Sequence, residues 1–147
     1  MLYNAAARLS YHFNLHGPNA SVDVACSSSI EAVHLAMQTL RTGEADMAVC
    51  GGVNSVFTPE NLLVGSMIGA LSPDGRSRSF SADANGYAKG EGLGLLLLKR
   101  LSDAERDGDR IYCVLREALS YHDGNEGKNN YLVPSGIGQK RMLADIY

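Results

Sequence analysis

The sequence lacks the features that mark several functional classes. It has no Cys-x-x-Cys pair, and its three cysteines, Cys26, Cys50 and Cys113, are odd in number and widely spaced. That pattern argues against a structural zinc site or a disulfide framework and for reduced thiols in a cytosolic enzyme. It has no basic block, and the net charge is −3. Nothing electrostatic therefore points to nucleic acid. The longest apolar run of note, Leu93 to Leu98, is interrupted by Gly94 and is far too short to span a bilayer. The opening Met1-Leu2-Tyr3-Asn4 has neither the basic residues nor the following apolar stretch of a secretion signal, so the expected location is cytoplasmic. In that setting the Asn19-Ala20-Ser21 sequon reads as coincidence. Repeats and low-complexity tracts are also missing. What is there is ordinary for a globular protein with one modest core: 147 residues, 45% hydrophobic and 20% charged.

Periodicity and punctuation give strands alternating with helices, the pattern of an α/β layered fold. Residues 5–13 read as the tail of a helix ending before Asn14, and His16-Gly17-Pro18-Asn19 as a turn. Ala20 to Ala25 reads as a short strand. A helix follows to about Arg41, with Ile30, Val33, Met37 and Leu40 at helical spacing and Ala32, Leu35 and Ala36 widening the apolar surface. Such a helix should be largely buried. Ser28 with Glu31 makes a possible capping box, and Thr42-Gly43 stops the helix. Asp46 to Cys50 reads as a strand ending at Gly51-Gly52, residues 59–71 as a helix, and Ser72-Pro73-Asp74-Gly75 as a turn. Gly94 to Lys99 reads as a strand apolar on both faces, Ser102 to Arg106 as a short helix or turn, and Ile111 to Ser120 as another strand. A polar loop leads to Pro134-Ser135-Gly136 and a helix from near Gly138 that is still running at Tyr147. Helical patterns at both ends are what a portion of a larger domain would present.

The strand–Cys26–helix sequence carries chemistry. The first turn of a helix offers unpaired N–H groups and the positive end of the macrodipole, which favours a thiolate. The dipole contributes only about 0.3–1 kcal/mol, too little to create a catalytic thiolate alone. A tight strand-to-helix turn also lifts the sulfur toward a cavity, and the Cys26 N–H could serve as half of an oxyanion hole. Small neighbours, Ala25 and Ser27-Ser28-Ser29, leave room for a substrate chain. Spacing alone leaves a second reading open, that Cys26 is a small buried residue. Cys50 and Cys113 lie in apolar strand patterns with no helix start behind them and read as structural.

Val22-Asp23-Val24-Ala25-Cys26-Ser27-Ser28-Ser29 resembles the active-site segment of β-ketoacyl synthases (condensing enzymes) of polyketide and animal-type fatty acid synthases. Further segments resemble the family in order and spacing. They are Asn14-Leu15-His16-Gly17-Pro18, Gly51-Gly52-Val53-Asn54, Leu71-Ser72-Pro73-Asp74-Gly75-Arg76 and Gly86-Tyr87-Ala88-Lys89-Gly90-Glu91-Gly92, then Leu101-Ser102-Asp103-Ala104, Asp123-Gly124 and Pro134-Ser135-Gly136. The resemblance covers nearly the whole chain. It implies a thiolase-like α/β fold of layered α-β-α-β-α, here incomplete: residues 1–147 would be a partial ketosynthase domain, with 1–108 the late part of the first half and 109–147 the start of the second.

The resemblance also implies an acyltransferase activity. An acyl chain is held as a thioester on Cys26, and a malonyl-type extender on an acyl carrier protein loses its carboxylate and attacks that thioester. The substrates would be phosphopantetheine thioesters of the carrier protein, with no cofactor or metal in this segment. The partner would be a second copy, joined through about Ala20 to Ala25, with no nucleic acid and no membrane. Val24 departs from the family's usual threonine, and His16 stands where Arg or Lys is common. The family's two catalytic histidines, its lysine and the glycine-rich loop completing the oxyanion hole fall beyond the residues present. The isolated segment is therefore expected to be inactive. Two rival classes stay in view: a non-catalytic ketosynthase-like dimer partner, which usually lacks the cysteine, and a thiolase-type acyl-transfer enzyme, against which Ser27-Ser28-Ser29 and Leu71 to Arg76 weigh.

The local histidines do not substitute for the missing ones. His34 is eight residues beyond Cys26 on the same helix, about 12 Å away along the axis, and reads as a core or interface histidine. His12 and His16 read as structural, and His122 as a loop residue. Gly90-Glu91-Gly92-Leu93-Gly94 is not a dinucleotide fingerprint, since it leads into a strand, and Gly124 to Lys128 lacks the spacing of a P-loop. The glycines at 86–94 read as close-packing positions, and Asp83 and Glu91 as structural hydrogen-bonding groups.

Overall fold

The computed structural model describes residues 3–147. The elements in chain order are α1 (Tyr3–Phe13), a 3₁₀ turn (Ala25–Ser27), α2 (Ser28–Thr42), β1 (Met47–Asn54), α3 (Glu60–Met67), β2 (Gly92–Lys99), α4 (Leu101–Asp107) and α5 (Gly136–Ile146). The strands β1 and β2 pair in a two-stranded sheet. The chain forms two compact units: one runs up to Gly52 and resumes at Leu95, and the other is Val53–Gly94.

The core of the first unit follows from the apolar stripe of α2. Val33, Ala36 and Met37 bury one face together with Cys50 of β1 and Ala118, and Ala48 and Leu98 pack at the margin. Burial is one-sided. Ile30 and Leu35, on other faces of α2, remain 49% and 42% exposed, so the helix is half covered rather than largely buried. Gly43 ends α2 as expected: it takes a φ of 78°, and the Glu44 N–H reaches back to the Thr39 carbonyl at 3.1 Å. Asn14 ends α1 in the same left-handed region, φ 52°. Arg100 then ties three elements together, donating to the carbonyls of Leu40 (2.9 Å) and Ala45 (2.8 Å) and to the Asp103 carboxylate (2.6 Å).

Several expected elements differ. Residues 20–24 are not a strand, and neither are 111–120. Residues 20–24 alternate and 111–115 are an apolar run, but a strand is made by its ladder, and among the described residues neither segment is paired in one. Their apolar side chains stay exposed accordingly: Val24 at 49%, Tyr112 at 83%, Val114 at 55%. β1 does not stop at Gly51-Gly52 but continues through both to Asn54. The helix expected over 59–71 is shorter, Glu60–Met67, because Gly69 turns left-handed and the chain enters a bridge between Leu71 and Tyr87. The last helix begins at Gly136, two residues earlier than expected, because Ser135 is its N-cap and accepts the Gly138 N–H at 3.2 Å.

In the second unit the Ser72-Pro73-Asp74-Gly75 turn forms, closed by the Gly75 N–H on the Ser72 carbonyl at 3.1 Å. Ser72 is buried; its hydroxyl donates to Asp74 and Asn85, and Arg78 clasps the same Asp74, whose carboxyl is held far below the usual range by that guanidinium. Gly86 is needed there. Its φ is 133°, and a Cβ on it would fall on the Ser72 nitrogen and the Leu71 carbonyl.

Candidate active site

The backbone reverses at Ala25, which sits at φ 58°, a left-handed conformation that costs an L-residue about 1–2 kcal/mol. Strain of this kind persists where its surroundings hold it. Here the Ala25 N–H donates to the Asp23 carboxylate at 3.2 Å, an Asx turn. The Ser28 hydroxyl donates to the Ala25 carbonyl at 2.7 Å and accepts the Val24 N–H at 3.0 Å. Ser28 is thereby consumed by the turn. It does not form the expected capping box with Glu31, and Ser27 occupies the N-cap without a side-chain bond. The result is an elbow whose apex, Cys26, is exposed at the mouth of α2. Among the described residues Cys26 is exposed rather than buried.

Beneath the elbow lies Gly52 of β1. A Cβ built on it would stand 2.8 Å from the Ser29 Cβ, so only glycine lets α2 approach this closely. Asp23, Ala25, Ser28 and Gly52 are the residues that shape the site beyond Cys26. Two of them had a sequence signal: an aspartate two residues before Ala25, and a glycine inside an apolar strand.

The remaining candidates fall elsewhere. Cys50 is buried, and burial pushes its thiol above the ordinary value; Cys113 is exposed in the 111–120 segment. His34 faces the chain, its Nδ1 2.7 Å from the Ala118 carbonyl oxygen. His12 stacks edge-on against Phe13, His16 is exposed, and His122 accepts the Gly124 N–H on Nδ1 at 2.9 Å. The Glu91 carboxylate accepts the Val56 N–H, a structural role, and the backbone N–H of Asp83 donates to the Ser81 hydroxyl. Asp123 is clasped by Lys128 and accepts the Ser135 N–H at 2.6 Å, which together hold its carboxyl below the usual range. Recesses bounded by Asp46, Arg100 and Asp103, and by Tyr121, Glu126 and Arg141, are not lined by Cys26. Among the described residues no three His, Cys, Asp or Glu side chains converge as metal ligands, and no helix is long and apolar enough to cross a membrane.

The family described as "Beta-ketoacyl synthase, N-terminal domain" matches residues 2–104, a span that contains the elbow, α2 and the whole sheet. The chain belongs to that family. Among curated proteins, this ketosynthase segment is 53% identical over 120 residues to "Highly reducing polyketide synthase 40" of Fusarium mangiferae, covering 82% of the chain and 5% of that protein. It is 46% identical over 143 residues to the polyketide synthase component of compactin nonaketide synthase of Penicillium citrinum, covering 97% and 5%. Among solved structures, the ketosynthase from module 6 of the bacillaene synthase of Bacillus subtilis 168 superposes with a TM-score of 0.94 at 44% identity, covering 100% of the segment and 26% of that chain. The segment thus spans about a twentieth of those synthases and about a quarter of a solved ketosynthase. Its fold is part of the thiolase-like α/β arrangement of ketosynthase domains. Its named relatives are polyketide synthases, which the sequence reading left unseparated from fatty acid synthases.

Proposed function

We propose that Cys26 is the acyl-accepting nucleophile of a ketosynthase in polyketide biosynthesis. The Cys26 thiolate attacks the carbonyl of an acyl thioester on a carrier-protein phosphopantetheine; a new C–S bond forms and the carrier thiolate leaves. A malonyl-type thioester then loses CO₂, and its α-carbon takes the acyl group from Cys26, forming a C–C bond as the Cys26 C–S bond breaks. The Cys26 N–H is one of two donors to the developing oxyanion. The observation that carries this reading is an exposed thiol at the apex of a turn held left-handed at Ala25, immediately ahead of a 15-residue helix. The positive end of that helix favours the negative charge that develops on the substrate oxygen.

In this reading residues 1–108 belong to the first half of the thiolase-like domain and 109–147 open the second. Carrier-protein thioesters are the substrates. The domain pairs with a second copy through 20–25, whose residues belong to no strand among the described residues. The test is acyl loading of the full-length protein containing this chain, followed by mass spectrometry of the Cys26 peptide. A thioester adduct on Cys26 that vanishes in Cys26→Ala supports the reading. Loading that persists in Cys26→Ala, or no loading of the wild type, refutes it and leaves the scaffold alternative.

A further inference from the structure

His34 and Arg41 stand seven residues apart, two turns of α2, and both reach one short stretch of chain, residues 116–118. The Ala118 carbonyl can only accept, so at 2.7 Å the His34 Nδ1 must carry the hydrogen and donate. Arg41 donates from Nη2 to the Arg116 carbonyl at 2.9 Å, and its fork takes both Glu117 carboxylate oxygens at 3.1 Å. Glu117 Oε1 also accepts the Ala118 N–H at 3.1 Å. Ala118 is itself buried with Val33, Ala36 and Met37. The segment therefore grips α2 on its apolar face and at two polar points.

We propose that residues 116–118 are a brace that fixes the axial and rotational setting of α2, with His34 the positioning residue that keeps Cys26 at its reactive station; the catalytic half of this inference rests on the role proposed for Cys26. Apolar burial is non-directional and holds a helix against its sheet without fixing its register. Short, charge-assisted and bidentate bonds are directional and do fix it. Lying about 12 Å along the helix from Cys26, His34 acts through α2 rather than on the reacting atoms.

The nitrogen used makes the inference testable. An asparagine amide nitrogen falls near His Nδ1, whereas a glutamine amide nitrogen falls near Nε2. The full-length protein is compared as wild type, His34→Asn, His34→Gln and His34→Ala by two readouts: kcat and KM for acyl loading of Cys26, and amide hydrogen exchange of residues 28–31. In His34→Gln and His34→Ala, kcat falls about tenfold with KM within about twofold, and first-turn amides exchange severalfold faster. His34→Asn stays near wild type on both. Asparagine behaving like alanine, or all three behaving like wild type, overturns the brace. Should His34→Ala not fold, Arg41→Gln, which leaves His34 in place, must show the same kcat loss and faster exchange; unchanged values overturn it equally. A wild type that does not load refutes the role of Cys26, and the exchange pattern then decides the brace by itself.

Discussion

Substituting Gly52 by alanine tests how closely the sheet supports α2. The new Cβ would stand 2.8 Å from the Ser29 Cβ, whereas carbon atoms rest at about 3.5–4.0 Å. The first turn of α2 or the strand beneath it must therefore yield by at least about 0.7 Å. Lifting α2 off the sheet does not absorb this freely, because Val33, Ala36 and Met37 hold the helix on Cys50 and Ala118. Overpacking against such a surface costs about 1–3 kcal/mol. Ser29 is three residues from Cys26, so the displacement reaches the sulfur; a misplacement of this size costs on the order of tenfold in loading rate. Removing the opposing Cβ with Ser29→Gly costs roughly 0.5 kcal/mol of helix propensity but relieves the clash, so the double variant is more stable than the sum of the two singles by about 1–2 kcal/mol. The assay is a double-mutant cycle by denaturant unfolding of the full-length protein, with loading rates measured on the same four proteins. Additivity within about 0.5 kcal/mol, together with an unchanged rate in Gly52→Ala, would refute the close approach.

Three further outcomes follow from the same structure. Met37, 7% exposed in the core, loses about 2–4 kcal/mol on replacement by alanine, read as a lower denaturant midpoint with unchanged slope. Alkylation followed by peptide mass spectrometry should modify Cys26 and Cys113 well before Cys50, whose thiol is buried and raised in pKa; Cys50 reacting as fast as Cys113 would contradict its burial. Asp123 is depressed by the Lys128 hydrogen bond first and the Ser135 N–H second, so its contribution is present above the unfolded carboxylate pKa, near 3.9, and is lost as pH falls through its lower folded value. Hydrogen exchange in residues 121–135 should quicken across that acid window in the wild type and show no such step in Asp123→Asn.

The sequence by itself determined the helices and the position of Cys26 just ahead of one of them. The apolar stripe of α2, its stop at Gly43 and the run of small residues around Cys26 are local facts. Propensity, capping and side-chain size act over a few residues and need no distant partner. The ordered motifs likewise carried the family. Tertiary structure decided what depends on partners far along the chain. The segments 20–24 and 111–120 have strand patterns but no ladder among the described residues, because hydrogen-bond pairing is not a property of one segment. The diversion of Ser28 from a capping box into the elbow needed the actual direction of the Ala25 carbonyl. The closeness of Gly52 to Ser29 and the grip of residues 116–118 on His34 and Arg41 join residues 23 to 84 positions apart. Only folding brings such groups together, since nothing in local spacing encodes which carbonyl a side-chain donor will find.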